Sequence, residues 1–334
     1  MEISKNKQVN TGIYYNGQTL LSKNALINFI VGERGNGKTY FFKKWCVKDF
    51  LRNGNEFVWL RRYDTELDDI DLFFNDIAWE FPNHEFAVRG GKFYVDNKVC
   101  GYYFPLSKAI TKKSIPYPNV TKIIFDEFLI TKNNYHYLSK EVESFLDTVE
   151  TIARLRDVRC FLIANAISEV NPYFTYFNIQ LTGRFTRIGD ILVERTDSAD
   201  YRVVKKDTRF GKLIQNTSYG RYAIENEFVN DNHEFIEKRT EFARNIFNIS
   251  INNKLIGIWI DYKVGKVYAS FKYNPEMATI CLTNEEMRPN YLMLNSRSNN
   301  LKMLKNAISY GYLYYESFKV KTYMLEVLKL LNIR

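Results

Sequence analysis

The stretch Gly32-Glu33-Arg34-Gly35-Asn36-Gly37-Lys38-Thr39 constrains this chain more than any other part of it. It fits the G-x-x-x-x-G-K-[ST] pattern of a phosphate-binding loop. Before it, the apolar segment Leu26 to Val31 reads as a buried strand, and after it the run Tyr40 to Asn53 reads as a helix. Strand, glycine-rich loop and helix open a βαβ unit. In such a unit the loop N–H groups and the helix N-terminus face a phosphate group. Lys38 is placed to reach the β and γ oxygens of ATP, and Thr39 to ligate Mg²⁺. Gly32, Glu33, Arg34, Gly35, Asn36 and Gly37 make up the cradle. The bland alternative is a chance glycine turn, and both flanks argue against it.

The rest of the first half supports a parallel α/β fold. Phe57 to Leu60 is a short strand, and Leu67, Ile70, Phe73, Phe74 and Ile77 recur at helical spacing before Phe81-Pro82. Phe86 to Phe104 divides into three short strands at Gly90-Gly91 and Asp96-Asn97, both favoured hairpin turns. Ile123 to Phe125 is another strand. A helix with an apolar face of Val142, Phe145, Leu146, Val149 and Ile152 follows, and then the strand Arg159 to Ala164. Alternating strands and helices predict a parallel core sheet.

Between about Thr196 and Asn232 the chain turns polar, which predicts a linker. Beyond it, Ile246 to Ile251, Leu255 to Ile260 and Lys266 to Phe271 read as a three-stranded meander turning at Asn252-Asn253 and Gly265. Helices near Leu301 to Tyr312 and Lys319 to Leu331 close the chain. The expected domains are therefore 1–195, a linker at 196–231, and a smaller α+β domain at 232–334.

Hydrophobic residues at 46% and only 7 prolines in 334 residues allow a buried core and argue against disorder. The net charge is +9. From Asn232 onward there are 15 basic and 9 acidic residues, so +6 of that charge lies in the last third and suits a polyanionic partner. Cys46, Cys100, Cys160 and Cys281 are too scattered for a disulfide framework or a zinc site, and His84, His136 and His233 for a metal site or triad. No apolar run approaches the roughly 18 residues of a membrane span, and the N-terminus lacks a signal-peptide stretch. Neither a membrane partner nor export is expected.

A second motif, Lys122-Ile123-Ile124-Phe125-Asp126-Glu127, is an apolar strand ending in two carboxylates. Asp126 is placed to hold the Mg²⁺ shell, and Glu127 to orient or deprotonate an attacking water. That pairing points to ATP hydrolysis rather than kinase chemistry. The strand Cys160 to Ala164 ends in Asn165, where a polar group can sense the γ-phosphate or merely cap a strand. After the amphipathic helix come Arg154 and Arg156. Both are expected to be exposed. On the residues alone, cations at a helix C-terminus are the better reading, with a finger entering a neighbour's site as the alternative.

Taken together, GERGNGKTY, FVWLRRY, YPNVTKIIFDEF, VRCFLIANAISEVNPYF and TRFGKLI resemble the DNA-packaging ATPases of small podophages with protein-primed genomes, the Picovirinae type. The resemblance covers nearly the whole chain. It implies a P-loop ATPase domain of the additional-strand, conserved-glutamate type and a C-terminal domain of RNase H-like shape. It also implies a pentameric ring acting on double-stranded DNA at the procapsid portal vertex in the host cytoplasm. In some relatives a structural RNA lies between motor and capsid. Lys38, Thr39, Asp126 and Glu127 match the family's phosphate-loop and catalytic positions. Arg154 matches its trans-acting arginine, with Arg156 close behind, which reverses the reading above. Lys113, beside Lys112, falls where the family has a channel-facing lysine. With Arg61 and Arg62 these form the expected DNA contacts. One departure stands out: Asp64 replaces a familiar basic residue after Arg61-Arg62-Tyr63.

Four functional readings compete. A translocating ring ATPase gripping phosphates fits every motif. An ATP-driven terminase with an active nuclease needs clustered carboxylates, yet Asn245 to Ile251 carries none and Asp261 is the only aspartate after Asp231. Another P-loop DNA translocase shares the first domain's chemistry. A nucleotide-gated scaffold would do without the carboxylate at Glu127.

Overall fold

A computed structural model of the chain describes residues 12–112, 115–130, 136–165, 171–196, 198–217, 220, 235–251, 254–293 and 298–331. The chain divides into two compact units, Met1–Asp231 and Asn232–Arg334.

In the first unit, α1 (Gln18–Ser22) leads into β1 (Ile27–Gly32), the phosphate loop and α2 (Lys38–Asn53). The α2 helix stops at Gly54, whose left-handed φ of 72° lets its N–H return to the Phe50 carbonyl. There follow β2 (Glu56–Arg61), the hairpin strands β3 (Phe86–Arg89), β4 (Lys92–Val95) and β5 (Lys98–Pro105), then β6 (Val120–Asp126), α3 (Glu141–Ala153), β7 (Arg159–Asn165), α4 (Pro172–Tyr176), β8 (Phe185–Ile188), β9 (Ile191–Arg195), α5 (Ala199–Asp207) and α6 (Arg209–Ile214). The nine strands make one sheet in the order β3-β4-β5-β2-β6-β7-β1-β9-β8. Its interior is parallel from β5 to β9, and antiparallel pairing is confined to the edges, where β4 and β8 run against the rest. Strand β7 lies between β1 and β6, so the phosphate-loop strand and the carboxylate strand are not neighbours.

Because successive strand residues point to opposite faces, each apolar strand feeds two cores. Phe29, Val58, Ile123, Phe125 and Leu162 pack beneath α3 and α4 with Phe145 and Tyr173. Ile30, Phe57, Trp59, Ile124 and Phe161 pack on the other face beneath α2 with Phe42 and Cys46. The two predicted hairpin turns have positive φ at both central residues, Gly90 and Gly91, then Asp96 and Asn97.

Two expectations need correction. The helix foreseen over Leu67 to Ile77 is a series of 3₁₀ turns at Asp64–Leu67, Ile70–Leu72 and Ala78–Glu80. The adjacent Phe73 and Phe74 are both buried against Phe93, and the aspartates at 64, 68, 69 and 71 compete with the backbone for hydrogen bonds, so burial there does not need a helix. The first part of the polar stretch foreseen as a linker instead folds as α5 and α6 of the first unit, and residues 221–231 of that stretch lie outside the described residues. Thr208 caps α6 by accepting from the Gly211 N–H, and a Cβ at Gly211 would meet the Lys205 carbonyl at 1.9 Å. Helix α5 buries no residue, and its Val203 and Val204 are exposed, so it adds nothing to the core whose apolar runs mark the other elements.

The second unit contains β10 (Arg244–Ile251), β11 (Lys254–Asp261), β12 (Lys266–Ser270), β13 (Thr279–Cys281), β14 (Tyr291–Met293) and β15 (Leu313–Tyr315), with helices at Asn299–Ser309 and Phe318–Leu330. The sheet order is β14-β13-β10-β11-β12-β15. The antiparallel meander β10-β11-β12 is as expected, although Asn252 and Asn253 lie outside the described residues. Strands β13 and β14 then add in parallel on the β10 side. Ile249, Ile256, Ile258, Val267, Leu304 and Val327 centre the core. All four cysteines are buried and unpaired. Among the described residues no helix is long and apolar enough to cross a membrane, and no three His, Cys, Asp or Glu side chains cluster as metal ligands.

Candidate nucleotide-binding and hydrolysis site

The parallel strands β1, β2, β6 and β7 end at one edge of the sheet, where an α/β fold places its ligands. In the phosphate loop, Gly35 and Gly37 have φ of 82° and 93°, conformations that favour glycine. A Cβ at Gly32 would fall 1.6 Å from the Thr196 Oγ1. Gly37 caps α2 with no side-chain hydrogen bond, leaving the first N–H groups of a 16-residue helix facing the loop. That arrangement fits a bound polyphosphate.

Glu33 and Asn36 turn their side chains inward. Glu33 accepts hydrogen bonds from Thr196 Oγ1 (2.9 Å), the Ser198 N–H (3.1 Å) and Arg202 Nη1 (2.6 Å). Asn36 Nδ2 donates to Glu33 Oε2 and Thr196 Oγ1, both at 3.1 Å. These two residues brace the loop against the start of α5 and offer a nucleotide only backbone. Arg34 is exposed, and its carbonyl accepts from Tyr201 Oη (3.2 Å) and Lys205 Nζ (2.9 Å).

Lys38 is buried and donates to the Glu33 carbonyl (2.6 Å) and Asn36 Oδ1 (3.0 Å). Burial draws its pKa down to about 7 against the opposing pull of the Glu33 and Asp126 carboxylates. A phosphate anion beside it would offset the burial and favour the charged ammonium.

Thr39 Oγ1 donates to Asp126 Oδ1 at 3.2 Å, joining the start of α2 to the end of β6. Burial pushes the Asp126 carboxyl up, Arg61 opposes this and the neighbouring Glu127 adds to it, with a net rise. A hydroxyl beside a desolvated carboxylate is a hard-oxygen pair of the kind that holds Mg²⁺. Glu127 follows in a left-handed conformation, φ 59°, with its side chain about half-exposed. A non-glycine residue held there carries strain of about 1–3 kcal/mol, a feature that concentrates at active sites. Asn165 ends β7 in register with Gly32.

Arg61 and Arg62, expected as DNA contacts, are taken up by carboxylates of the first unit. Arg61 reaches Glu127 (2.8 Å), Asp126 (3.5 Å) and Glu66 (3.6 Å), so it belongs to the carboxylate cluster. Arg62 is 2% exposed and forms a buried pair with Glu141 at 2.7 Å, with further bonds to the Glu127 and Phe128 carbonyls. Tyr173 Oη and the Leu138 N–H complete the Glu141 carboxylate. The reason is local: β2 ends inside the sheet edge, so consecutive arginines meet the acidic ends of β6 and α3 rather than solvent. Lys112 ends a 3₁₀ turn at Leu106–Lys112, and Lys113 lies outside the described residues.

Arg154 and Arg156 have different surroundings. Arg154 follows α3 with φ 51° and ψ −109°, and the Arg156 N–H returns to the Ala153 carbonyl at 2.9 Å. This is a tight turn of type II′ with arginine where glycine is preferred. Both arginines are exposed, as expected, yet the Arg156 guanidinium is not free: it donates to four carbonyls, those of Pro118, Val120, Tyr117 and Ile152.

Sequence reasoning missed Glu66, Thr196, Ser198, Tyr201, Arg202 and Lys205, which come from outside both motifs. It also missed Tyr14. The Tyr14 ring borders Gly37 and lies 6.0 Å from the Tyr201 ring, with Tyr14 half-exposed. A doublet of tyrosines ahead of a phosphate loop was the one visible signal.

A glycine-rich loop between β1 and α2, a threonine bonded to the aspartate of a second strand, and a parallel sheet with helices on both faces define a P-loop nucleotide-binding protein. The comparisons narrow this further. The profile described as Podovirus DNA encapsidation protein (Gp16) matches residues 9–333, and the chain belongs to that family. The DNA packaging protein of Bacillus phage phi29 is 37% identical over 328 residues, covering 96% of this chain and 99% of that protein. That of Bacillus phage B103 is 37% identical over 321 residues, covering 94% and 100%. A chain of the bacteriophage phi29 viral genome packaging motor assembly matches with a TM-score of 0.80 and 37% identity, over 96% of this chain and 99% of that one. The crystal structure of the N-terminal domain of the phi29 DNA packaging ATPase matches with a TM-score of 0.54 and 43% identity, over 57% of this chain and 99% of that one.

Proposed function

We propose that this chain hydrolyses ATP to drive double-stranded DNA into a viral procapsid, as a pentameric ring at the portal vertex in the host cytoplasm. The observation that carries the reading is the Thr39–Asp126 hydrogen bond with Glu127 one residue on, opposite the Lys38 loop. Loop N–H groups and Lys38 bind the phosphates. Thr39 and Asp126 hold Mg²⁺, which when bound neutralises charge on the phosphate oxygens. Glu127 orients and deprotonates the attacking water once it swings from Arg61, and Asn165 faces the γ-phosphate from the neighbouring strand end. Tyr14 and Tyr201 flank the loop as an aromatic platform for the base. Arg154, exposed at the end of α3, enters the site of the adjacent subunit.

The intervening strand β7 supports the additional-strand, conserved-glutamate type. In the second unit, an antiparallel meander followed by two parallel strands beside its first strand supports an RNase H-like shape. Its first strand, RNIFNISI, carries no carboxylate, which favours a nuclease relic that binds without cutting. The test is ATP hydrolysis by the full chain with and without duplex DNA. Stimulation by DNA is expected. Hydrolysis indifferent to DNA overturns the motor reading, and none under either condition overturns the enzyme reading.

A further inference from the structure

We infer that Arg156 is a positioning residue for Arg154, a clamp that holds the tip of the α3–β7 turn rigid so that Arg154 is delivered in one geometry. The inference rests on the reading of Arg154 as a finger acting on a second copy of this chain.

The two central residues of the turn, Arg154 and Leu155, are both exposed, and Leu155 wholly so. Among the described residues nothing packs over the tip. Its shape is therefore held from its base. The backbone there is the glycine-favouring conformation at Arg154, which left alone would relax. What opposes relaxation is the next side chain but one. Arg156 Nη1 donates to the Pro118 carbonyl at 2.8 Å and the Val120 carbonyl at 2.7 Å. Its Nη2 donates to the Tyr117 and Ile152 carbonyls, both at 2.6 Å. Ile152 belongs to the last turn of α3, and Tyr117 to Val120 lead into β6. One planar fork thus ties the end of the helix to the segment that begins the strand of Asp126 and Glu127. Only a guanidinium presents donors in that fixed fan, so a lysine cannot replace it. Four charge-assisted bonds on one side chain, beside a strained residue with no hydrogen-bond or ion-pair partner for its own side chain among those described, divide the work: Arg156 stays home and Arg154 reaches out.

The experiment uses the full chain with Leu155→Cys carrying a nitroxide label. The four native cysteines are buried, so the label goes to the tip. Without nucleotide or DNA, the label is expected to be restrained when Arg156 is present and freely mobile in Arg156→Ala, with Arg156→Lys between them. In unlabelled rings with duplex DNA, Arg156→Ala is expected to lose about 10²-fold in kcat, the effect of roughly 1 Å of misplacement, with KM for ATP within about twofold. Arg156→Lys is expected to lose about tenfold, and it carries the test if the alanine variant fails to fold. A tip equally restrained without the guanidinium overturns the clamp. So does normal kcat in Arg156→Ala when Arg154→Ala is inactive. If Arg154→Ala itself turns over normally while the label is freed, the finger reading fails and the clamp stands.

Discussion

Arg154→Gly should make the protein more stable and catalytically inert at once. The backbone at Arg154 has φ 51° and ψ −109°, where a side chain carries about 1–3 kcal/mol of strain. Glycine removes that strain but raises the entropy of the unfolded chain by about 0.5–1 kcal/mol. The difference favours the variant by about 1 kcal/mol, or roughly 2–4 °C in Tm for a unit of this size. Arg154→Ala keeps the strain and should show no such gain. Against this, a finger supplied by a neighbour contributes about 10³–10⁵ in rate, which is about 4–7 kcal/mol of barrier. Thermal unfolding of the glycine, alanine and unsubstituted chains, alongside DNA-stimulated ATPase rates, reads both quantities. Mixing Arg154→Gly with Glu127→Gln subunits should restore turnover, because some interfaces then pair an intact carboxylate with an intact arginine. A glycine variant no more stable than the alanine one refutes the strained turn. One that hydrolyses ATP normally refutes the finger.

Four further outcomes are expected. Lys38→Ala should weaken nucleotide binding, whereas Glu127→Gln should bind ATP normally and stop turnover, as equilibrium binding and single-turnover rates will show. Arg62→Ala should destabilise the first unit by about 3–5 kcal/mol in denaturant unfolding, since it strands the buried Glu141 carboxylate, and unchanged stability would put Arg62 back on the surface. Burial pushes the Asp49 carboxyl up, but hydrogen bonds from Lys122, Asn53 and Asn55 outweigh it and leave it below its ordinary 3.8. The stability this gives is present above that pH and lost as pH falls through the lower folded value, so the gap to Asp49→Asn, measured by urea unfolding, should be full at neutral pH and shrink in acid. Lys112→Ala and Lys113→Ala should each lower the salt slope of DNA binding by about 1, uniformly across sequences, and a sequence-dependent loss would count against phosphate contact.

The nucleotide site was legible where chemistry demands consecutive residues. A phosphate loop must follow its strand and open its helix, so Gly32 to Thr39 carried their own context, and Asp126-Glu127 had to end an apolar strand. What escaped was assembled from a distance. The buried link from Glu33 to Arg202 joins residues far apart in the chain, and nothing local marks Arg202 as a brace. Helix α5 escaped for a related reason: it buries no residue, and what holds it to the phosphate loop is polar, Arg202 on Glu33 and Tyr201 and Lys205 on the Arg34 carbonyl. The segment from Leu67 to Ile77 shows the converse. Its apolar spacing reported burial correctly, and burial without hydrogen-bond pattern does not decide between α-helix and 3₁₀ turns.

Charge was the most misleading signal, because a count of basic residues says nothing about where their partners are. Arg61 and Arg62 looked like a cationic edge, yet one serves the carboxylates of β6 and the other a buried glutamate. Asp64, the departure from the family pattern, pairs with Lys108 on the surface, both side chains being more than half exposed. Such a pair adds about 0–1 kcal/mol of stability, so its effect there is neutralisation rather than cohesion. The segment from Arg61 to Asp64 therefore offers duplex DNA no free cation among the described residues. We propose that the grip on phosphate falls to Lys112 and Lys113, further along the chain. A motor that must accept every sequence needs phosphate contacts that are exposed and unpaired, and pairing with carboxylates takes Arg61 and Arg62 out of that class.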